Sequence, residues 1–324
     1  MARPVASTIL ALRPATADDA AFAADVMTAV RPSSPTDPVV LEYWWRQPDE
    51  FIEFARYIVT RSDRQVGYAE TIHARWDVKP ERYASVGGDL MPSARSRESL
   101  DALFAIVEDR LIADGGLILR ARANEDDPLR IDTIVARGYK EDRRARRWEL
   151  DLVKNRERLL AMTDQSRKRM RDQGVRLLTL AEDRDPGVVD KIWRLSEEAG
   201  DDVPTTVPRA PEAMEAYVRW VKAPGIHRDR FWIARLGDEV VGVSVLEYPP
   251  VRGIVSTDWT ATARSARGRG IARALKCETV AQAIALGVDR VRTGNDAAND
   301  PILHINETMG YHLVPGAINY LRPV

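Results

Sequence analysis

The chain has 324 residues, 44% of them hydrophobic and 30% charged, which excludes wholesale disorder and gives a prior of two domains. Lys and Arg number 48 against 49 Asp and Glu, a net charge of -1, so no global field draws the protein to nucleic acid or an anionic membrane. Cys277 is the single cysteine, which excludes an intrachain disulfide framework and a cysteine-clustered zinc site.

Ile9 to Leu12 reads as a strand, and Thr16 with Asp18 and Asp19 as a helix cap before Ala21, Phe22 and Val26. The apolar run at the start is too short for a signal peptide, and no later run reaches the roughly 18 residues of a membrane span, so a cytoplasmic protein is expected. Phe54 to Thr60 and Gln65 to His73 read as strands around the turn Ser62-Asp63-Arg64. Ser99 to Ala113 has helical spacing with Leu100, Leu103, Phe104, Val107 and Leu111 on one face, and Gly115-Gly116 stops it. Leu117 to Ala121 is a buried strand.

From Arg143 to Arg176 the chain is rich in arginine. Asp151, Glu157, Asp164 and Asp172 interrupt the charge and no aromatic residues are interleaved for base stacking, so this stretch reads as a solvated connecting helix rather than a nucleic-acid patch. Beyond Gly174 the pattern restarts: a strand at Val175 to Leu180, helices at Pro186 to Ala199 and Pro211 to Val221, and strands at Phe231 to Arg235, Val240 to Glu247 and Gly253 to Thr262. Ile271 to Leu286 is an amphipathic helix ended by Gly287, and Asp289 to Thr293 a further strand.

This restart is a repeat. A displacement of 172 residues lays Arg95 on Arg267, Gly115 on Gly287, Arg120 on Arg292 and Gly138-Tyr139 on Gly310-Tyr311 without a gap. Two copies of one α/β domain in tandem are expected: residues 1–152, a connecting segment 153–174, and residues 175–324.

Chemistry concentrates in the second copy. There Arg267-Gly268-Arg269-Gly270-Ile271-Ala272 opens the helix after a strand. Such a turn offers free backbone N–H groups to an anion, with Arg267, Arg269 and Arg273 able to add charge-assisted bonds. The third glycine of a dinucleotide fingerprint and the Gly-Lys-Ser/Thr of a P-loop are both absent. A tight turn without ligand stays open as the plain alternative. His73, His227, His304 and His312 lack metal-ligand spacing, so no metal is expected, and Cys277 reads as a buried thiol.

Together, Thr260-Ala261-Thr262, the loop Arg267 to Ala272, and the segment from Asn299 through Asn306 to Gly310-Tyr311 resemble the GNAT acetyltransferase superfamily. The loop fits that family's Q/R-x-x-G-x-G/A pyrophosphate signature at every defined position. The likeness is specific over about residues 230–324, and weaker elsewhere, as a tandem-GNAT arrangement similar in outline to mycothiol synthase. It implies two GNAT-like domains, each a mixed central sheet flanked by helices, and acetyl-CoA as co-substrate. By the resemblance, backbone groups of Thr260 to Thr262 pair with the pantetheine arm. Arg267, Gly268, Arg269, Gly270, Ile271, Ala272 and Arg273 bind pyrophosphate, and Asn299 meets the pantetheine region or caps its helix. The family's proton-donating tyrosine falls on Asn306, which sits in the cofactor region but has no proton to give. In the first copy Ser96, Glu98 and Leu100 replace Gly268, Gly270 and Ala272, and Asp127 replaces Asn299, so that copy is expected to lack the cofactor site and to support the second or wall its cleft.

Transfer to an amine calls for a base, because a free alkyl ammonium is protonated near neutrality. Glu247 and Asp258 are the candidates, each equally open to a surface or ion-paired role. Strand alternation places Asp258 with Thr260 and Thr262, opposite Thr257 and Trp259. The expected function is an acetyl-CoA-dependent N-acetyltransferase of small-molecule amines, monomeric or homodimeric, without nucleic-acid or membrane partners. The alternative is a non-catalytic acyl-CoA-binding or regulatory protein.

Overall fold

A computed structural model describes residues 9–324. The first half runs β1 (Ala11–Pro14), α1 (Ala20–Val30), α2 (Pro38–Arg46), β2 (Ile52–Arg61), β3 (Arg64–Ala74), β4 (Tyr83–Leu90), α3 (Arg97–Ala113), β5 (Ile118–Asn124), α4 (Pro128–Ala136) and β6 (Lys140–Asp151). After α5 (Arg156–Asp172) come β7 (Val175–Thr179), α6 (Val188–Gly200), α7 (Met214–Val221), β8 (Phe231–Leu236), β9 (Glu239–Glu247), β10 (Ser256–Thr262), α8 (Ile271–Ala285), β11 (Arg290–Asp296), α9 (Asp300–Met309) and β12 (His312–Pro323). The repeat survives in the elements: β5 and β11 are displaced by 172 residues at both ends, as are β6 and β12, and α4 and α9 start 172 apart.

The halves share one twelve-stranded sheet in the order β1-β2-β3-β4-β5-β12-β6-β11-β10-β9-β8-β7. The sixth strand of each half lies beside the fifth strand of the other. β12 runs antiparallel to β5, with Tyr320 opposite Ala121, and β6 runs antiparallel to β11, with Arg147 opposite Gly294. Period-2 alternation sends the apolar residues of each exchanged strand into the other half's core. Ile318 and Tyr320 of β12 pack with Leu100, Phe104, Leu119 and Ile134, while Trp148 and Leu150 of β6 pack with Val280, Val291 and Met309. Each such side chain stabilises a core built mainly from the opposite half by about 1.5–3 kcal/mol.

The arginine-rich stretch is not one helix. Arg143, Arg144, Arg146 and Arg147 lie on β6, and only Arg156–Asp172 is helical. Composition hid the period: carboxylates pair two of these arginines on a strand, Arg143 with Asp296 and Arg144 with Glu141 and Glu125. The solvated-helix reading holds for part of α5 alone, whose Leu159, Thr163, Ser166 and Met170 are buried. α5 lies along α8, where Arg167 binds Glu278 at 2.8 Å and Thr163 Oγ1 donates to the carbonyl of Cys277. Cys277 is buried. No helix among the described residues is long and apolar enough to cross a membrane.

Candidate active site

The glycine turn sits where the sequence places it. Gly268 has φ +75° and Gly270, the residue preceding α8, φ +86°, a left-handed conformation that a Cβ penalises. A Cβ on Gly268 would meet nothing within 4 Å, whereas one on Gly270 would come 3.2 Å from the Arg169 guanidinium. α5 thus brings a further arginine to the turn, and Gln173 at its end bonds both the carbonyl and the side chain of Arg269. Arg267 is engaged locally, 2.7 Å from Asp202 and donating to the carbonyl of Thr262. Hydrogen bonds from Arg264 and Arg267 hold the Asp202 carboxyl well below its usual range. Ile271 turns its side chain into the core, against the space a Cβ on Gly242 would need.

Beside the turn the sheet opens. β10 pairs with β11 only at Ser256 and Arg292, so its edge from Thr257 to Thr262 faces no partner strand, while β9 covers its other edge as far as Thr262. Thr262 Oγ1 is buried there without a partner, and Thr260 Oγ1 shares a hydrogen bond with Ser244. Unpaired strand edge and orphaned hydroxyl together form a slot that fits a ligand with amide groups.

In the first half the same slot is plugged. Arg130 donates to the carbonyls of Gly88 on β4 and Arg122 on β5, both at 2.7 Å, and so spans the gap between the strands. Arg95, the counterpart of Arg267, is held by Asp89 and Asp127. Those carboxylates occupy the positions of Ala261 and Asn299, so the anion's place is already taken by side chains.

A bulge changes the faces of β10. Thr257 lies opposite Leu246 and Trp259 opposite Val245, which leaves Asp258 as an extra residue. Asp258 therefore does not alternate with Trp259 as expected: both line one cavity of about 280 Å³ with Ser196, Tyr217 and Trp220. Asp258 accepts from Trp220 Nε1, and Trp259 Nε1 donates to Ser196 Oγ at 3.1 Å. Desolvation pushes the Asp258 carboxyl up.

Glu247, at the end of β9, lines a second cavity of about 370 Å³ that the two halves build together. Ser34 to Asp37 and Trp44 of the first half face Ser256, Thr257, Arg292 and Thr293 of the second, and Arg147 reaches in from β6. Burial first, then the charges of Asp258 and Asp37, push the Glu247 carboxyl up to about 7. Asp37 fixes this arrangement. It caps α2 by accepting from Val39 and Val40 N–H, and its other oxygen accepts from Val251 and Arg252 N–H of the second half.

Asn299 stands at the start of α9 but makes no capping bond with its side chain, so it remains available to a ligand. Asn306 is fully buried and donates to Asn295 on β11 at 2.7 Å, a tie between helix and strand. Behind the slot lies Lys276, 1% exposed and without a carboxylate partner among the described residues. Its ammonium stands 3.5 Å from Thr257 Oγ1 and 5.2 Å from the ring centre of Tyr311, and burial pushes it down to about 8. The repeat places Phe104 at this position in the first half. A lysine lowered from 10.5 costs stability at every pH where it is charged in the fold, and that cost fades between about pH 8 and 10.5. Lys276→Met is expected to raise the melting temperature at pH 7, with the gain shrinking by pH 10; an unchanged or lowered value at pH 7 would show that the ammonium is stabilised where it lies.

Residues 192–311 match the model of the acetyltransferase (GNAT) family. Over this segment the chain is similar to that family. The segment includes Glu247, Asp258, the glycine turn, Asn299 and Asn306. The chain is similar in fold to a tandem GNAT protein from the clavulanic acid biosynthesis pathway, solved without AcCoA (16% identity, 97% of this chain and 98% of that one, TM-score 0.74). It is also similar to a GCN5-related N-acetyltransferase from Sphaerobacter thermophilus (17% identity, 97% and 95%, TM-score 0.63). No curated protein sequence matches. The chain as a whole has a tandem GNAT fold, and the strands of the matched segment, β8 to β11, are flanked in the sheet by two strands from outside it, β7 and β6. Among the described residues no group of histidine, cysteine, aspartate or glutamate is arranged to hold a metal ion.

Proposed function

We propose that the protein is an acetyl-CoA-dependent N-acetyltransferase of small-molecule amines, with one active site in its carboxy-terminal half. One arrangement carries this reading: the open edge of β10 runs from a glycine turn at α8 to a half-buried carboxylate, Glu247, poised near neutrality. In this reading residues 1–152 keep the fold without the cofactor site and wall the acceptor cavity, 153–174 join the halves, and 175–324 carry the co-substrate.

When bound, acetyl-CoA supplies an activated acyl group. Thr260, Ala261 and Thr262 offer backbone donors and acceptors to the pantetheine amides, and Asn299 a side chain. The N–H groups from Gly268 to Ala272, with Arg267, Arg269, Arg273 and Arg169 around them, hold the pyrophosphate. Glu247 takes the proton from the substrate ammonium, freeing the nitrogen lone pair, and a carboxylate near pH 7 is suited to that exchange. The leaving thiol, with an ordinary value of about 8.5, can take its proton from water, so Asn306 in the tyrosine's place does not bar turnover.

Asn306 is also what favours the second reading, a non-catalytic acyl-CoA-binding protein. Free-thiol release over an amine panel separates the two, since saturable binding without release on any amine would establish the second. Calorimetry on the intact protein should give one acetyl-CoA per chain, because Arg130, Asp89 and Asp127 fill the first slot. A stoichiometry near two would overturn this assignment.

A further inference from the structure

The cavity holding Glu247 has a strongly cationic side. Arg147 lies among Arg31, Arg122 and Arg292, and burial first, then their charges, push its guanidinium down to about 10. Arg31, Arg122 and Arg147 make no ion pair among the described residues; Arg292 alone is matched, by Glu149 at 2.8 Å. Arg147 donates only to the carbonyl of Pro315 and to Asn124 Oδ1, which also accepts from Arg31 at 2.6 Å. Arg31 Nε is buried and makes no hydrogen bond among the described residues. Neutral carbonyls and an amide orient these groups, and Asp126, whose charge reaches Arg31 and Arg147 without an ion pair, offsets only part of theirs. Like charges gathered at a partly buried place cost free energy unless an anion offsets it. Arg147 and Arg292 line the same cavity as Glu247, so two of these four arginines and the base face one open cleft.

We infer that this cluster holds an anionic group of the acceptor, so that the substrate is a small primary amine bearing a carboxylate or a phosphate. The inference rests on the transferase reading for the amine, and on the arginines alone for the anion. Guanidinium forks match the oxygens of either anion in a bidentate manner. The amine then faces Glu247 while the anion anchors the far end, which orients the nitrogen. The first half supplies the anchor: Arg31 follows α1, and Arg147 sits on the exchanged β6.

Matched pairs of acceptors test this. Amino acids are assayed against their own amides, and glucosamine 6-phosphate against glucosamine, by thiol release from acetyl-CoA. The carboxylate or the phosphate member should lead its neutral partner in kcat/KM by about 100-fold, and which pair responds tells the two anions apart. In Arg147→Gln that preference should fall roughly 10- to 100-fold through KM, with acetyl-CoA affinity unchanged and Arg147→Lys recovering part of it. Arg31→Gln should act in the same direction and guards against a folding defect at β6. Neutral amines used as well as anionic ones, or a preference unmoved by either glutamine variant, would overturn the proposal. A separate arm measures melting temperature with inorganic phosphate against chloride at equal ionic strength. Phosphate should stabilise the parent more than Arg147→Gln, and equal shifts would count against the anion site. Acetyl-CoA binding with no turnover on any amine would defeat the transferase reading alone, leaving the phosphate arm to judge the arginines.

Discussion

Gly270→Glu is expected to abolish acetyl-CoA binding, raising Kd by at least about 100-fold while the protein stays folded. The substitution copies Glu98, its counterpart in the first half. Two effects act together. At φ +86° any side chain is strained, at a cost of about 1–2 kcal/mol, which lowers the melting temperature by a few degrees without unfolding a protein of this size. The larger effect is on charge. A new carboxylate starting 3.2 Å from the Arg169 guanidinium pairs with it and covers the free N–H groups at the start of α8, where the pyrophosphate is proposed to sit. Gly270→Ala separates the contributions, since it keeps the strain without the charge and should retain most of the affinity. Calorimetry on both variants decides, and an unchanged Kd for the glutamate variant would reject the site.

The second large effect is expected at Glu247. Glu247→Gln keeps the shape and removes the basicity, so kcat should fall about 100- to 10,000-fold with acetyl-CoA affinity intact. The parent's kcat/KM should rise with pH through about 7, and this acid limb should vanish in the variant. Asp258→Asn offers an internal check. The Asp258 charge helps to raise Glu247, so its loss should move the acid limb to lower pH and leave the limb in place. Stability supplies a readout independent of turnover. A carboxyl raised from 4.5 to about 7 is neutral in the fold over a range where the unfolded chain is ionised, so the fold loses stability as pH climbs through that window. Glu247→Gln should therefore melt higher than the parent at pH 8, and the difference should shrink as pH falls and close only below about 4.5. Full activity with an unaltered acid limb would show that Glu247 is not the base.

Much of this site was legible because its parts are local. A glycine turn between a strand and a helix depends on six adjacent residues, Arg267 to Ala272, and the repeat exposed the missing glycines at Glu98 and Ser96. What could not be read was spatial. Arg169 and Gln173 reach the turn from a segment about 100 residues earlier, and within a run of arginines nothing sets Arg169 apart. Asp37 looks like an ordinary helix cap until its second oxygen is found on Val251 and Arg252. The repeat placed β6 and β12 in register without saying which neighbour each would choose, because either pairing preserves the same alternation. At Asp258 a single extra residue in the ladder was enough to invert the assumed face of Trp259.

The exchange of β6 and β12 also bears on how the chain can be made. During synthesis at about 5–20 residues per second, the 172 residues separating the starts of these strands take roughly 10–35 s to add. For that interval β5 has an uncovered edge, and the core around Leu119 lacks Ile318 and Tyr320. The amino-terminal half thus leaves the ribosome as an unfinished sheet, waiting for residues 312–323 to be translated. Loss of residues 312–323 would therefore leave the core of the first half incomplete as well as the end of the chain.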